Sequence, residues 1–149
     1  MEADIPSLKL PIDTKYFFRS LSLQKCSLEE SIASHIHIIL TTSFGECKFD
    51  ENYGCEIWES EFEHSQISKI WIDKMALNIQ SNLENYESRI HKTKIEAQIK
   101  EVELENRTSD KQMVRLQKCL TIRVKAKLIA TNEDFDFFDK IFISPFAID

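Results

Sequence analysis

Glycine is almost missing from this chain. Its 149 residues contain two, Gly45 and Gly54, and both fall within TTSFGECKFDENYGC, residues 41–55. Average usage is about 7%. The two are too far apart for either phosphate-cradling fingerprint, and no Gly-rich loop follows a strand, so a nucleotide cofactor is not expected. Apolar runs are also short: none approaches the roughly 18 residues that span a bilayer. The start, MEADIPSLKL, lacks the basic opening and apolar core of a signal peptide, and a cytoplasmic setting is expected. Cys26, Cys47, Cys55 and Cys119 have no Cys-x-x-Cys spacing and read as reduced, buried or half-buried thiols. An excess of positive charge is lacking too. The formal net charge is −6, which argues against nucleic acid as a partner, and Lys92, Lys94 and Lys100 are interleaved with glutamates as on a solvated face.

What is present is globular: 42% hydrophobic and 30% charged residues, with ten Phe, in the size range of one domain. Residues 1–15, with Pro6 and Pro11, read as an extended arm, and 16–149 as a single domain to which Tyr16-Phe17-Phe18 anchors that arm. Ser27-Leu28-Glu29-Glu30 is a capping-box signature. Leu28, Ile32, Ile36, Ile39 and Leu40 then recur at helical spacing, so a helix is expected from Ser27 to about Thr41. A second helix is expected from about Ser65 to Tyr86, burying Ile67, Ile70, Trp71, Met75, Leu77 and Ile79.

After Arg89 the period becomes two. Ile95, Ala97 and Ile99 share a face, and Val102 and Leu104 follow in the opposite phase, which predicts a bulge or strong bend between them. Asn106–Asp110 reads as a turn. Leu116, Leu120, Ile122, Val124, Ala126 and Leu128 then alternate with polar residues, Asn132-Glu133-Asp134 makes another turn, and Phe135 to Ile143 supplies a last strand. Helices first and an antiparallel sheet with a long hairpin after them define an α+β fold.

Few groups point to chemistry. His35 and His37, two apart on a helix, face different ways and cannot chelate one ion, while His64 and His91 have no ligand cluster, so no metal is expected. Cysteine and serine nucleophiles lack an elbow or a base. Glu46, Asp50, Glu51, Glu56, Glu59 and Glu61 cluster in and after the glycine loop; a glycosidase needs two carboxyls about 5–9.5 Å apart, but an acidic solvated loop is the simpler reading. At the helix–strand junction, YESRI, Glu87 and Arg89 can satisfy backbone groups or pair at the surface; alternatively Arg89 presents its fork of donors to a partner.

These residues, taken in order, resemble the contractile-tail baseplate wedge family, which includes small phage baseplate proteins and the TssE proteins of type VI secretion systems. Members show a Leu-x-Thr helix end, a Gly-Glu-Arg turn, a Tyr-Gly or Phe-Gly pair and a Glu-Pro-Arg motif before the strands. Here Leu40-Thr41-Thr42, Gly45-Glu46-Cys47, Tyr53-Gly54 and Glu87-Ser88-Arg89 stand in those places, with Cys47 and Ser88 departing from the pattern. The likeness spans roughly residues 27–145. It implies a sheath-core-like, non-enzymatic assembly protein without cofactors, a monomer by itself and present in about six copies per baseplate. Its partners would be other wedge subunits and the contractile sheath, whose first ring it would template, most plainly in a type VI secretion system. Glu87, Arg89, Gly45, Glu46, Tyr53 and Gly54 would then be partner-binding residues. Two other classes stay open on the residues: a peptidoglycan-hydrolysing baseplate lysozyme and a regulatory module of the anti-adaptor kind.

Overall fold

The computed structural model describes residues 7–58, 69–108 and 111–143, with the backbone alone for Trp58, 103–108, 111–117 and Ile143. Three helices precede a three-stranded antiparallel sheet: α1 (Thr14–Ser20), α2 (Leu28–Thr41), a single 3-10 turn (Glu56–Trp58), α3 (Lys69–Tyr86), β1 (Ile90–Thr108), β2 (Lys111–Leu128) and β3 (Asp134–Ile143). The strand order is β1-β2-β3. This is the expected α+β arrangement, with one helix more.

Helix α2 begins where its local chemistry dictates. The Ser27 hydroxyl accepts from the Glu30 amide at 3.1 Å, and the Glu30 carboxylate accepts from the Ser27 amide at 3.0 Å, closing the capping box. Its stripe of Ile32, Ile36, Ile39 and Leu40 is fully buried, in one core cluster with Leu120, Ile122 and Val124 of the central strand, which are equally inaccessible.

Helix α3 corrects the expected stripe. Ile70 and Leu77 are 80% and 69% exposed, and the inward positions are Met75, Ile79, Asn82 and Leu83. The reason is geometric: those four recur at i, i+4, i+7 and i+8, one face of a helix, and one of them is polar. Ile67 and the proposed start at Ser65 lie outside the described residues.

The hairpin differs from expectation in two places. Pairing between β1 and β2 is unbroken from Lys94↔Lys125 to Thr108↔Lys111, so Asn106, Arg107 and Thr108 belong to the strand, and the rest of the expected turn, residues 109 and 110, lies outside the described residues. No bulge separates Ile99 from Val102. Val102 instead shares the outer face with Glu96, Gln98 and Lys100, as strict alternation requires. The irregularity lies between His91 and Lys94, where Lys92 takes a left-handed φ of 53°.

The amino-terminal segment is also unlike the sequence expectation. Tyr16, Phe17 and Phe18 are 39%, 38% and 76% exposed, so they do not anchor the arm to the core. Residues 7–26 instead close on themselves through backbone bonds: Cys26 N–H to Ser7 O at 2.9 Å and Lys9 N–H to Gln24 O at 2.9 Å. The Asp13 carboxylate caps α1 by accepting from the Tyr16 amide at 3.0 Å.

The two glycines have different reasons. Gly54, at φ +126°, sits where an added Cβ would meet the Thr42 carbonyl oxygen at 2.5 Å, whereas Gly45, at φ +76°, has open space around it. Gly54→Ala therefore meets both backbone strain and a clash, and should lower stability by about 2–3 kcal/mol. Gly45→Ala meets strain alone, about 1 kcal/mol; urea denaturation of both variants checks the order, and equal losses would contradict it.

Candidate functional site

Where α3 ends, the Glu87 amide still donates to the Leu83 carbonyl at 2.9 Å, and the chain turns directly into β1. The turn places the Glu87 side chain inward: it is 2% exposed, a buried acid. A lone carboxylate there would be costly, so its hydrogen-bond partners decide its state.

Arg89 supplies three of them. Its Nε donates to Glu87 Oε1 at 2.7 Å, its Nη2 to Oε2 at 2.7 Å and its backbone amide to Oε1 at 3.1 Å. Helix α2 supplies the fourth, His35 Nδ1 to Oε2 at 2.7 Å; with an ionised carboxylate as acceptor, Nδ1 carries the hydrogen. Ser31, one turn before His35 on the same face, accepts from Arg89 Nη1 at 2.8 Å. Burial pushes the Glu87 carboxyl up, but the hydrogen bonds from Arg89 and His35 outweigh it and hold it down at about 2. The Glu87 side chain raises the Arg89 guanidinium in turn, against the effect of burial.

The bidentate geometry explains how Ser88 serves at a junction where the resemblance leads one to expect proline. The carboxylate bonds the Arg89 amide as well as its guanidinium, so side-chain contacts fix the backbone that proline would fix through φ. Ser88 itself is exposed.

Tyr53 joins this clamp from the glycine loop. Its ring stacks on His35 with centroids 6.1 Å apart and meets Tyr86 edge-on at 5.0 Å. The Tyr86 hydroxyl donates to Asp50 Oδ2 at 2.9 Å. Gly54, the next residue, is tied down by Asn82, whose Nδ2 donates to its carbonyl at 2.7 Å. Gly45 and Glu46 occupy the other shoulder of the loop: Gly45 N–H bonds the Glu51 carbonyl at 2.9 Å, and the Glu46 carboxylate accepts from the Ser43 amide at 2.9 Å. Of the six residues singled out from the sequence, Tyr53, Glu87 and Arg89 thus share one cluster, Gly54 adjoins it, and Gly45 and Glu46 shape the loop.

Ser31, His35, Tyr86 and Asn82 are members of the site that the sequence pattern does not single out. The first two carry a usable signal, a Ser and a His four apart on an apolar helix. His37 turns the other way, as expected, and its Nδ1 lies 2.6 Å from Asp139 Oδ2 on β3. Among the described residues no group of three or more His, Cys, Asp or Glu could hold a metal ion. Several carboxylates of the acidic stretch are engaged within the chain: Glu46 and Asp50 as above, and Glu56 by Lys74 Nζ at 3.2 Å. Glu59, Glu61 and His64 lie outside the described residues.

Fold and site together define an α+β domain organised by a buried charge clamp. The model of the baseplate wedge protein gp25 family matches residues 26–133, most of the chain, and the protein belongs to that family. A crystal structure from Geobacter sulfurreducens, described as a candidate tail lysozyme, has the same fold with a TM-score of 0.57. Its sequence is 23% identical, and the alignment covers 85% of this chain and 100% of that one. No curated protein matched the sequence.

Glu87 titrates below its ordinary value of 4.5, so its contribution is fully present above about pH 4.5 and is lost as the pH falls through about 2. Glu87→Gln should flatten the acid limb of the stability–pH curve in that window, read from thermal melts between pH 2 and 6; an unchanged limb would contradict the assignment. Arg89→Met should cost about 3 kcal/mol at pH 7, because it leaves a buried carboxylate with His35 as its remaining side-chain partner.

Proposed function

We propose that this chain is a non-catalytic subunit that joins the baseplate wedge to a contractile sheath, working on the cytoplasmic side of a type VI secretion apparatus. Membership of the wedge family over residues 26–133 carries the reading. In this proposal Glu87 orients Arg89, which is 35% exposed at its side chain, and the outer part of the guanidinium meets a neighbouring wedge subunit. Tyr53, Gly54, Gly45 and Glu46 shape the loop surface beside it. A phage baseplate would use the same contacts.

Sheath contact falls to β3 in this reading. Both β1 and β3 are edges of the described sheet, but β1 is interrupted between His91 and Lys94 while the β3 ladder is regular throughout. A regular edge offers evenly spaced N–H and C=O groups to an added strand, whereas a bulge blunts an edge. An array of about six copies would then template the first sheath ring.

A peptidoglycan hydrolase reading draws on the Geobacter sulfurreducens likeness, which at 23% identity shows the fold alone. The described grooves give it no support: one is lined by Asp139 and the other by Glu96 as their carboxylates, and both are already bonded within the chain, to His37 and Lys125.

Pull-down of the tagged protein from its native cells should recover large wedge subunits and sheath protein. Arg89→Lys, which keeps the charge and loses the fork, should still fold yet reduce wedge recovery severalfold; undiminished recovery would make Arg89 a purely structural residue. Clearing of a peptidoglycan suspension by the purified protein would overturn the non-catalytic reading.

A further inference from the structure

Residues 7–26 hold a defined shape without contributing a residue to the buried core, and meet the rest of the domain where Leu10 and Pro11 line a groove with Ala33 and Ile38 of α2 and Phe137 of β3. Backbone bonds between Ser7 and Cys26 and between Lys9 and Gln24 close the base, Asp13 caps α1, and Leu21 ends the helix in a left-handed conformation at φ 53°. Every residue from Leu8 to Leu23 is exposed. A segment usually gains such order by burying apolar side chains, and here they stay partly or largely open to solvent: Leu10 and Ile12 are 43% and 55% exposed, Phe17 and Phe18 38% and 76%, Leu21 and Leu23 82% and 36%. Scattered exposed hydrophobics are ordinary, but this concentration marks a surface meant to be covered.

The family match begins at residue 26, so the family model does not cover this segment. Its charge is distinctive as well. Lys9, Lys15, Arg19 and Lys25 face one carboxylate, Asp13, in a chain whose overall charge is −6. Asp13 is engaged in the helix cap.

We propose that residues 7–26 form a docking finger that inserts into an apolar cleft, rimmed by carboxylates, on a partner protein. Charge selects the rim: Lys15 and Arg19 beside the apolar residues of α1, with Lys9 and Lys25 at the base, favour an acidic surround. Shape selects a cleft. Tyr16, Phe17 and Phe18 are consecutive in a helix and so radiate in three directions about 100° apart, while the outgoing and returning limbs carry further apolar residues. A bilayer surface is planar and covers one side of a helix, whereas a protein cleft can enclose a finger on all sides. A second copy meeting finger to finger would set the same four cations against each other. Because the finger is already ordered, little conformational entropy is lost on docking.

A photo-crosslinking residue placed at Phe18 or at Leu21 in the full-length chain, in its native cells, tests this, with Phe49, 99% exposed on the glycine loop, as the control position. The expected result is one discrete protein adduct from each finger position and none from Phe49. The purified partner should then bind Phe18→Ser/Leu21→Ser at least tenfold more weakly, and Lys15→Glu/Arg19→Glu likewise, with melting temperatures unchanged because the finger contributes nothing to the core. Absence of an adduct, an adduct with a second copy, or binding that survives both double variants would overturn the proposal. So would retention of the wild-type chain, but not the Phe18→Ser/Leu21→Ser variant, on phosphatidylcholine–phosphatidylglycerol vesicles. The inference does not rest on the wedge reading. An adduct with a protein outside the wedge and sheath upholds the finger and counts against the wedge reading, while recovery of wedge and sheath proteins without any adduct does the reverse.

Discussion

The rest of the structure depends on the burial of one ionised carboxylate. Glu87 lies at the point where α3 stops and the sheet starts, and four hydrogen bonds from two elements converge on it. Burying that charge is unfavourable unless every one of those donors is in place. The requirement runs outward in a chain: His35 must face the carboxylate, α2 must be docked to present it, and Tyr53 then stacks on the fixed imidazole and brings the glycine loop with it. A local motif three residues long thereby sets the relation of two helices, a strand and a loop.

Helix α2 is the other half of this arrangement. Its apolar stripe is buried in the core shared with the central strand, while two histidines on different sides of that stripe reach towards opposite edges of the sheet: His35 to the junction before β1, and His37 to Asp139 on β3. The second pair is half exposed at the histidine and contributes little energy by itself. Its value is geometric, since it fixes how the helix is rotated over the sheet.

Local signals are legible in the sequence and distant ones are not. The capping box at Ser27 and Glu30 involves residues three apart, so the sequence alone reveals it, as it does the alternation of Leu120 to Leu128 that defines the central strand. The stripe of α3 is obscured because hydrophobicity marks Ile70 and Leu77 and passes over Asn82, whose partner, the Gly54 carbonyl, is distant in sequence. Glu87 and Arg89 stand out as charged residues at a junction, yet nothing in YESRI tells that the acid is buried, because Ser31 and His35 are contributed from a separate helix. The displaced bulge has a related cause. Val102 changes face by ordinary alternation, and the true irregularity, at Lys92, leaves no mark on the apolar pattern. The finger at residues 7–26 is hidden because apolar residues ordinarily point inward and here they do not.

The unequal strand lengths have a mechanical meaning. Among the described residues β3 ends opposite Lys118, and the seven cross-strand pairs from Val102↔Gln117 to Thr108↔Lys111 have no third strand beside them. At about 3.4 Å per residue, a two-stranded ribbon of roughly 24 Å projects past the three-stranded sheet. A ribbon of two strands is marginal on its own in water, so its order is inherited from the sheet at its root. Opening therefore begins at the tip and proceeds inward one pair at a time, with a fall-off in amide protection along the ribbon. The protein thus carries a lever with a graded stiffness, rigid at its root in the three-stranded sheet and compliant at its far end.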